Sequence, residues 1–200
     1  MAETQRQQMT SVTEAFTRRF GRNPDWIVAA PGRVNLIGEH TDHNGGFVLP
    51  MAIDRQTLIA AGRNAGASEA VIDAYSINLD EADRFLASGD RLEPGGLWTD
   101  YVKGVLAEFL ERGLSPEPLN LVVWSDVPIG CGLSSSAALQ IAAARLLQQI
   151  DADVVADAEV PGLCQLAEHR FTGVPVGIMD QFCIAHARKD HLVFLDCRTL

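Results

Sequence analysis

Pro128-Ile129-Gly130-Cys131-Gly132-Leu133-Ser134-Ser135-Ser136-Ala137-Ala138 sets two glycines and three serines between an apolar run and an alanine-rich run. Leu119 to Trp124, before it, reads as a strand, and Ala137 to Leu147, after it, reads as a helix. The serines therefore stand at a helix N-terminus. Unpaired N–H groups and the positive end of the helix dipole favour an anion there, and the glycines let an oxyanion approach the backbone closely. The stretch reads as a phosphate-binding loop, with a plain helix cap made by one serine as the rival reading.

No Gly-x-x-x-x-Gly-Lys-Ser/Thr occurs, and the chain holds only two lysines, Lys103 and Lys189. The third glycine of a dinucleotide fingerprint is also missing. Charge neutralisation beyond the loop must then come from arginine or a metal ion.

Outward from the loop, the sequence of 200 residues, 47% hydrophobic and 21% charged, suits a soluble globular protein of one large domain or two small ones. A net charge of −10 argues against a nucleic-acid surface or an anionic membrane as partner, because both require clustered Lys and Arg. Cys131, Cys164, Cys183 and Cys197 lie far apart with no Cys-x-x-Cys pair, and read as small hydrophobes in a reducing compartment. Met1 to Thr10 is polar and no run is long enough to span a bilayer, so a cytoplasmic location is expected.

A helix is expected over Ser11–Phe20, from Val12, Phe16 and Phe20 at helical spacing. Strands follow at Trp26–Ala30 and, beyond a break at Pro31-Gly32, at Arg33–Ile37, then at Phe47–Pro50, Ile53–Ala61 and Ala70–Tyr75. Asp80–Gly96, polar and rich in Gly and Pro, reads as a connecting loop. Helices are expected at Trp98–Arg112, Gly162–Phe171 and Ile178–Ala187, and a strand at Leu192–Leu195. Paired strands followed by helices indicate an α+β fold.

Three clusters carry candidate chemistry. Gly38-Glu39-His40-Thr41-Asp42-His43-Asn44-Gly45-Gly46 crowds donors and acceptors into one turn, which suits a polyhydroxyl ligand such as a sugar; a metal site and a solvated turn are the alternatives. Arg33, between apolar neighbours in Gly32-Arg33-Val34-Asn35-Leu36-Ile37, needs an anionic partner unless its guanidinium snorkels to water. Asp180 in Ile178-Met179-Asp180-Gln181 reads either as a helix-capping carboxylate or as the base for a hydroxyl nucleophile. Glu168, on the preceding helix, reads as a surface charge or as a Mg²⁺ ligand acting with a loop serine.

Pro128 to Ala138 resembles the ATP-binding motif of the GHMP small-molecule kinases, the group of galactokinase, homoserine kinase, mevalonate kinase and phosphomevalonate kinase. Gly32 to Asp42 resembles the signature of the galactokinase branch, and Gly177-Ile178-Met179-Asp180-Gln181 its segment with the catalytic aspartate. The similarity runs from about residue 9 to the end. It implies the α+β N-terminal domain of a GHMP kinase over residues 1–200, phosphorylating galactose at its C1 hydroxyl with ATP and Mg²⁺ and acting as a monomer.

Matched by position, Asp180 would be the catalytic base and Arg33 its partner, the latter also meeting charge on the transferred phosphoryl group. Glu39, His40, Thr41 and Asp42 would bind the sugar. Gly130, Cys131, Gly132, Leu133, Ser134, Ser135 and Ser136 would wrap the ATP phosphates, with Ser136 and Glu168 at the Mg²⁺ ion. Trp98 and Tyr101 match a segment near the adenine pocket, where ordinary helix packing is the alternative.

The chain departs from the family at His43, where Tyr is usual, and at Leu200, where family members continue into a C-terminal domain with a further glycine-rich motif and an aromatic sugar contact. An N-terminal portion with an incomplete cleft is therefore expected. Other readings of the same residues are a GHMP kinase acting on N-acetylgalactosamine, a non-catalytic galactose- and ATP-binding sensor, and an inactive fragment.

Overall fold

The computed structural model describes residues 2–38, 41–88 and 92–199. One mixed sheet holds β1 (Trp26–Asn35), β3 (Pro50–Arg63), β4 (Val71–Ser76), β5 (Glu81–Leu86) and β6 (Leu119–Ser125), in the order β1-β3-β6-β4-β5. Neighbours are antiparallel except β4 and β6, which run parallel with Ile72 opposite Leu119. A second, two-stranded ladder joins β2 (Phe47–Val48) to β7 (Leu195–Asp196).

The central strands are apolar at consecutive positions because both faces are covered. Leu58, Ala60 and Val122 point to α1 (Ala2–Phe20) and meet Val12, Ala15 and Phe16. Their neighbours Ile59, Ala61, Leu121 and Val123 point the other way, into a core shared with α2 (Asp100–Glu111), α3 (Ser135–Ile150) and α4 (Val160–Thr172). Ten residues of α3 are buried, Ala137 through Ala144 without interruption, as befits a helix enclosed on nearly all sides. α5 (Met179–His186) packs on α3, α4, β1 and β3, which brings residues far apart in sequence to one end of the sheet. The α+β class expected from the pattern is the observed one.

Several local expectations change. Asp80–Gly96 is not all loop: β5 forms within it and pairs with β4 from Ser76–Glu81 to Val71–Leu86. As an edge strand it needs little apolar sequence, so its polar side chains hid it. The strands expected on either side of Pro31-Gly32 are one strand, because a register shift between Pro31 and Arg33 absorbs the break. β3 runs unbroken from Pro50, and the last strand is Leu195–Asp196 rather than Leu192–Leu195. α1 reaches back to Ala2, its residues 5–11 largely exposed and hence without the periodicity that marked Ser11–Phe20. Among the described residues no helix is long and apolar enough to cross a membrane.

Candidate active site

The loop after β6 takes left-handed backbone at Gly130 (φ 72°), Gly132 (φ 71°) and Ser134 (φ 59°), and Ser135 then opens α3. β1 holds this loop in place. The Arg33 N–H donates to the Leu133 carbonyl at 3.1 Å, and Arg33 Nη1 donates to the Gly132 carbonyl at 2.6 Å. Gly32 permits that approach, since a Cβ on it would lie 2.8 Å from the Leu133 oxygen. Cys131 is exposed in this loop, its thiol donating to the Ile129 carbonyl with sulfur 3.6 Å away.

Ser134 makes no side-chain capping bond. Capping calls for extended backbone at that position, and left-handed backbone there sends the hydroxyl elsewhere. It donates to Asp180 Oδ2. The helix-cap reading of the serines therefore fails at Ser134.

Asp180 lies in the first turn of α5. Its Oδ1 accepts from Arg33 Nε at 2.7 Å and lies 2.6 Å from Arg33 Nη2 in an ion pair, and its Oδ2 accepts from Ser134. The Arg33 side chain is 12% exposed and that of Asp180 26%, enough burial for the pair to matter and enough opening for a ligand to reach the carboxylate. Neither residue takes its bland reading: Arg33 does not snorkel to water, and Asp180 does not cap α5.

Glu168, on α4, is buried at 4% exposed and so is no surface charge. Burial pushes its carboxyl up to about 7, the nearby Asp180 charge pushes the same way, and hydrogen bonds from Ser136 and Gln181 oppose both. Gln181 Nε2 donates to Glu168 Oε2 at 2.9 Å and to Gln140 Oε1 at 3.3 Å, while Gln181 Oε1 is buried without a partner. Ser136 and Glu168 thus meet over a buried polar patch with one orphaned oxygen. Among the described residues no three or more His, Cys, Asp or Glu cluster as a metal site.

In the polar loop, a short 3₁₀ turn spans Asp42–Asn44. The Thr41 hydroxyl lies 2.8 Å from the Gly38 carbonyl and 2.9 Å from that of Phe47, so it closes the loop. Asp42 faces His43 Nδ1 at 3.2 Å on one side and Gly177 on the other. The ladder of β2 with β7 braces the far end, with Cys197 N–H donating to the Gly46 carbonyl at 3.0 Å and Arg198 lying over the Phe47 ring. Glu39 and His40 lie outside the described residues.

Beside Ser135 and Ser136 a cavity of about 460 Å³ is lined by Trp98, Tyr101, Leu79 and Ile129, among others. Its walls are mainly apolar, and its size suits a flat heterocycle. Burial raises the Tyr101 hydroxyl, and the charges of Glu168 and Asp100 add to it. Asn78 shapes the cavity floor by pairing both halves of its amide with the Ser125 backbone at 2.8 Å.

Sequence reasoning assigned no role to Gly177, to the Gln140–Gln181 pair or to the Ser134 contact with Asp180. A glycine interrupting the apolar run Val176 to Met179 was the signal for the first. For the others there was none, since a buried glutamine and a surface glutamine read alike.

A family model described as "Galactokinase galactose-binding signature" matches residues 14–63, and one described as "GHMP kinases N terminal domain" matches residues 100–188. The galactokinase of Chloroflexus aggregans is 40% identical over 193 residues, 96% of this chain and 49% of that protein. Human galactokinase is 42% identical over 198 residues, 96% of this chain and 50% of that protein. The crystal structure of Lactococcus lactis galactokinase complexed with galactose superposes with a TM-score of 0.85 at 33% identity, covering 96% of this chain and 50% of that one. Methanococcus jannaschii mevalonate kinase shares the fold at a TM-score of 0.74 and 21% identity, over 87% of this chain and 54% of that one. The chain spans about half the length of the curated relatives it matches.

Proposed function

Because the chain belongs to the GHMP kinase family, in its galactokinase branch, we propose that it transfers the γ-phosphoryl group of ATP to the C1 hydroxyl of galactose, giving galactose 1-phosphate and ADP. One observation carries the reading: a single carboxylate, Asp180, is held between Arg33 of the galactose-signature segment and Ser134 of the glycine-serine loop.

Asp180 serves as the base. Arg33 donates from Nε to Oδ1 and holds Nη2 against the same oxygen, so the proton of the C1 hydroxyl passes to Oδ2, the oxygen that Ser134 orients. Arg33 also meets charge developing on the phosphoryl group, and Gly130 to Ser136 supply backbone N–H groups to the phosphates. The adenine base occupies the apolar cavity against Trp98 and Tyr101. Glu39, His40 and Asp42 accept from and donate to the sugar hydroxyls, with Thr41 shaping their loop. Positioning and electrostatics account for most of the rate, as phosphoryl transfer requires little covalent work from the protein. Residues 1–200 make up the N-terminal domain of such a kinase and act on these small molecules as a monomer in the cytoplasm.

Ser136 and Glu168 fit a magnesium ion. The ion favours oxygen donors and takes one or two from protein, and a buried carboxyl pushed up to about 7 beside an orphaned amide oxygen is a place where a cation is favoured. When bound, Mg²⁺ neutralises phosphate charge. The residues' own part is to present a hydroxyl and a carboxylate already joined by a hydrogen bond.

Galactose-dependent ADP release by the chain and by Asp180→Asn, with a panel of sugars that includes N-acetylgalactosamine, tests the reading. Turnover with galactose should fall by about 10³-fold in the variant. Equal turnover in both would remove Asp180 from the chemistry, and preference for another sugar would move the acceptor.

A further inference from the structure

The only buried lysine of this chain stands far from the role that lysine takes at many phosphate sites. Lys103, 6% exposed on α2, points its ammonium at Asp83 Oδ2 of β5 (3.0 Å) and Asp100 Oδ1 of α2 (3.4 Å), and lies 5.0 Å from the Phe85 ring centre. Thr99, fully buried, does not cap α2; its hydroxyl donates to Asp83 instead. The Asp100 carboxylate accepts N–H bonds from Gly95 (2.9 Å), Gly96 (2.7 Å) and Leu97 (3.3 Å), which folds the connector back onto the helix start. Two carboxylates, one ammonium and three backbone donors are thereby gathered behind a single short segment.

That segment carries Trp98 and, one helical turn on, Tyr101, which form a wall of the cavity. The cavity is also lined by Pro128, Ile129, Ser135 and Ser136 of the loop, which is held independently where Arg33 straps Gly132 and Leu133. The width of the slot thus depends on how firmly α2 is tied to the edge strand β5, and the tie runs through Lys103.

We propose that Lys103, with Asp83 and Asp100, is a positioning residue for nucleotide recognition: it holds the Trp98–Tyr101 wall at the spacing that accepts a planar base. The inference rests on the nucleotide-binding reading above and adds a specificity element outside the phosphate loop. Burying this set solely for stability would leave base recognition untouched when it is broken, whereas a positioning role ties the loss to the base and spares the phosphates and the sugar.

The test uses the full chain and two variants, Lys103→Met, which keeps the stem length, and Asp83→Asn, which keeps an acceptor for Thr99. Calorimetric titration with ATP should show Kd raised about tenfold, the weight of one base-aromatic contact. Inorganic tripolyphosphate and galactose should each bind within about twofold of the parent chain. In chain labelled with 5-fluorotryptophan, the Trp98 ¹⁹F resonance, assigned through Trp98→Phe, should shift or broaden in both variants. The proposal is overturned if a variant that melts cooperatively binds ATP as before, or weakens ATP and tripolyphosphate equally, or leaves the Trp98 resonance in place. Where Lys103→Met fails to fold, Asp83→Asn decides. A parent chain that binds no ATP at all would sink the kinase reading instead, and the Trp98 resonance would still judge the network.

Discussion

Asp42 occupies the space that a side chain on Gly177 would need: a Cβ built there lies 1.9 Å from Asp42 Oδ2. The segment leading to Asp180 therefore touches the loop that carries Asp42 directly, through bare backbone. Gly177→Ala must displace Asp42 or push back the start of α5. The expected outcome is a galactose Kd raised by about tenfold or more, from one lost carboxylate contact, with ATP affinity little changed. Paired calorimetric titrations check it, and an unchanged galactose Kd would remove Asp42 from the sugar site.

Ser134 combines left-handed backbone with a hydrogen bond to Asp180. Ser134→Ala loses the bond and keeps the backbone cost, whereas Ser134→Gly loses the bond and relieves the cost. The glycine variant should be more stable than the alanine variant by about 1 kcal/mol in urea unfolding. Both should turn over galactose more slowly than the parent, because Asp180 Oδ2 has lost its orienting donor.

Glu168 gives the chain a pH-dependent stability. Its folded-state value, about 7, lies above its ordinary 4.5, so folding favours the protonated form. The associated stabilisation is fully present below about pH 4.5 and is lost as pH rises through about 7, amounting to about 3 kcal/mol. Glu168→Gln, neutral throughout, should match the parent near pH 4.5 and exceed it near pH 8 when divalent cations are chelated. Added Mg²⁺ should narrow the gap at pH 8 by stabilising the parent alone. Urea midpoints at the two pH values measure it, and parallel profiles for the two proteins would refute it.

What the sequence disclosed and what it concealed divide along physical lines. Periodicity exposed α2, α3 and α4, whose buried faces are long and apolar, and turn chemistry exposed the loop at Gly130 to Ser134. It concealed β5, which as an edge strand is written in Glu, Asp and Arg, and the parallel pairing of β4 with β6, which depends on crossovers no local window contains. In the site, Arg33 and Asp180 stood out as residues in need of partners. That they partner each other, across 147 positions, comes from packing α5 beside β1. Gln140 and Gln181 gave no signal because nothing in a glutamine's sequence neighbourhood reports that it is buried.

The cysteines should differ sharply in reactivity. Cys131 is exposed in the glycine-serine loop; Cys164 and Cys183 are buried, and burial pushes the Cys183 thiol up to about 12 and the Cys164 thiol further. Cys197, partly buried, is raised as well. N-ethylmaleimide followed by peptide mass mapping should find Cys131 modified first, and ATP should slow that modification while galactose should not. Equal modification with and without ATP would place the nucleotide phosphates away from this loop.

Strand β2 has its ladder partner, β7, far along the sequence, with Phe47 opposite Asp196. During synthesis the loop that ends at Gly46 therefore emerges long before the segment that braces it, whereas the glycine-serine loop is followed at once by the helix it opens. A nascent chain would therefore order the glycine-serine loop before the loop that ends at Gly46, which waits on β7 for its brace.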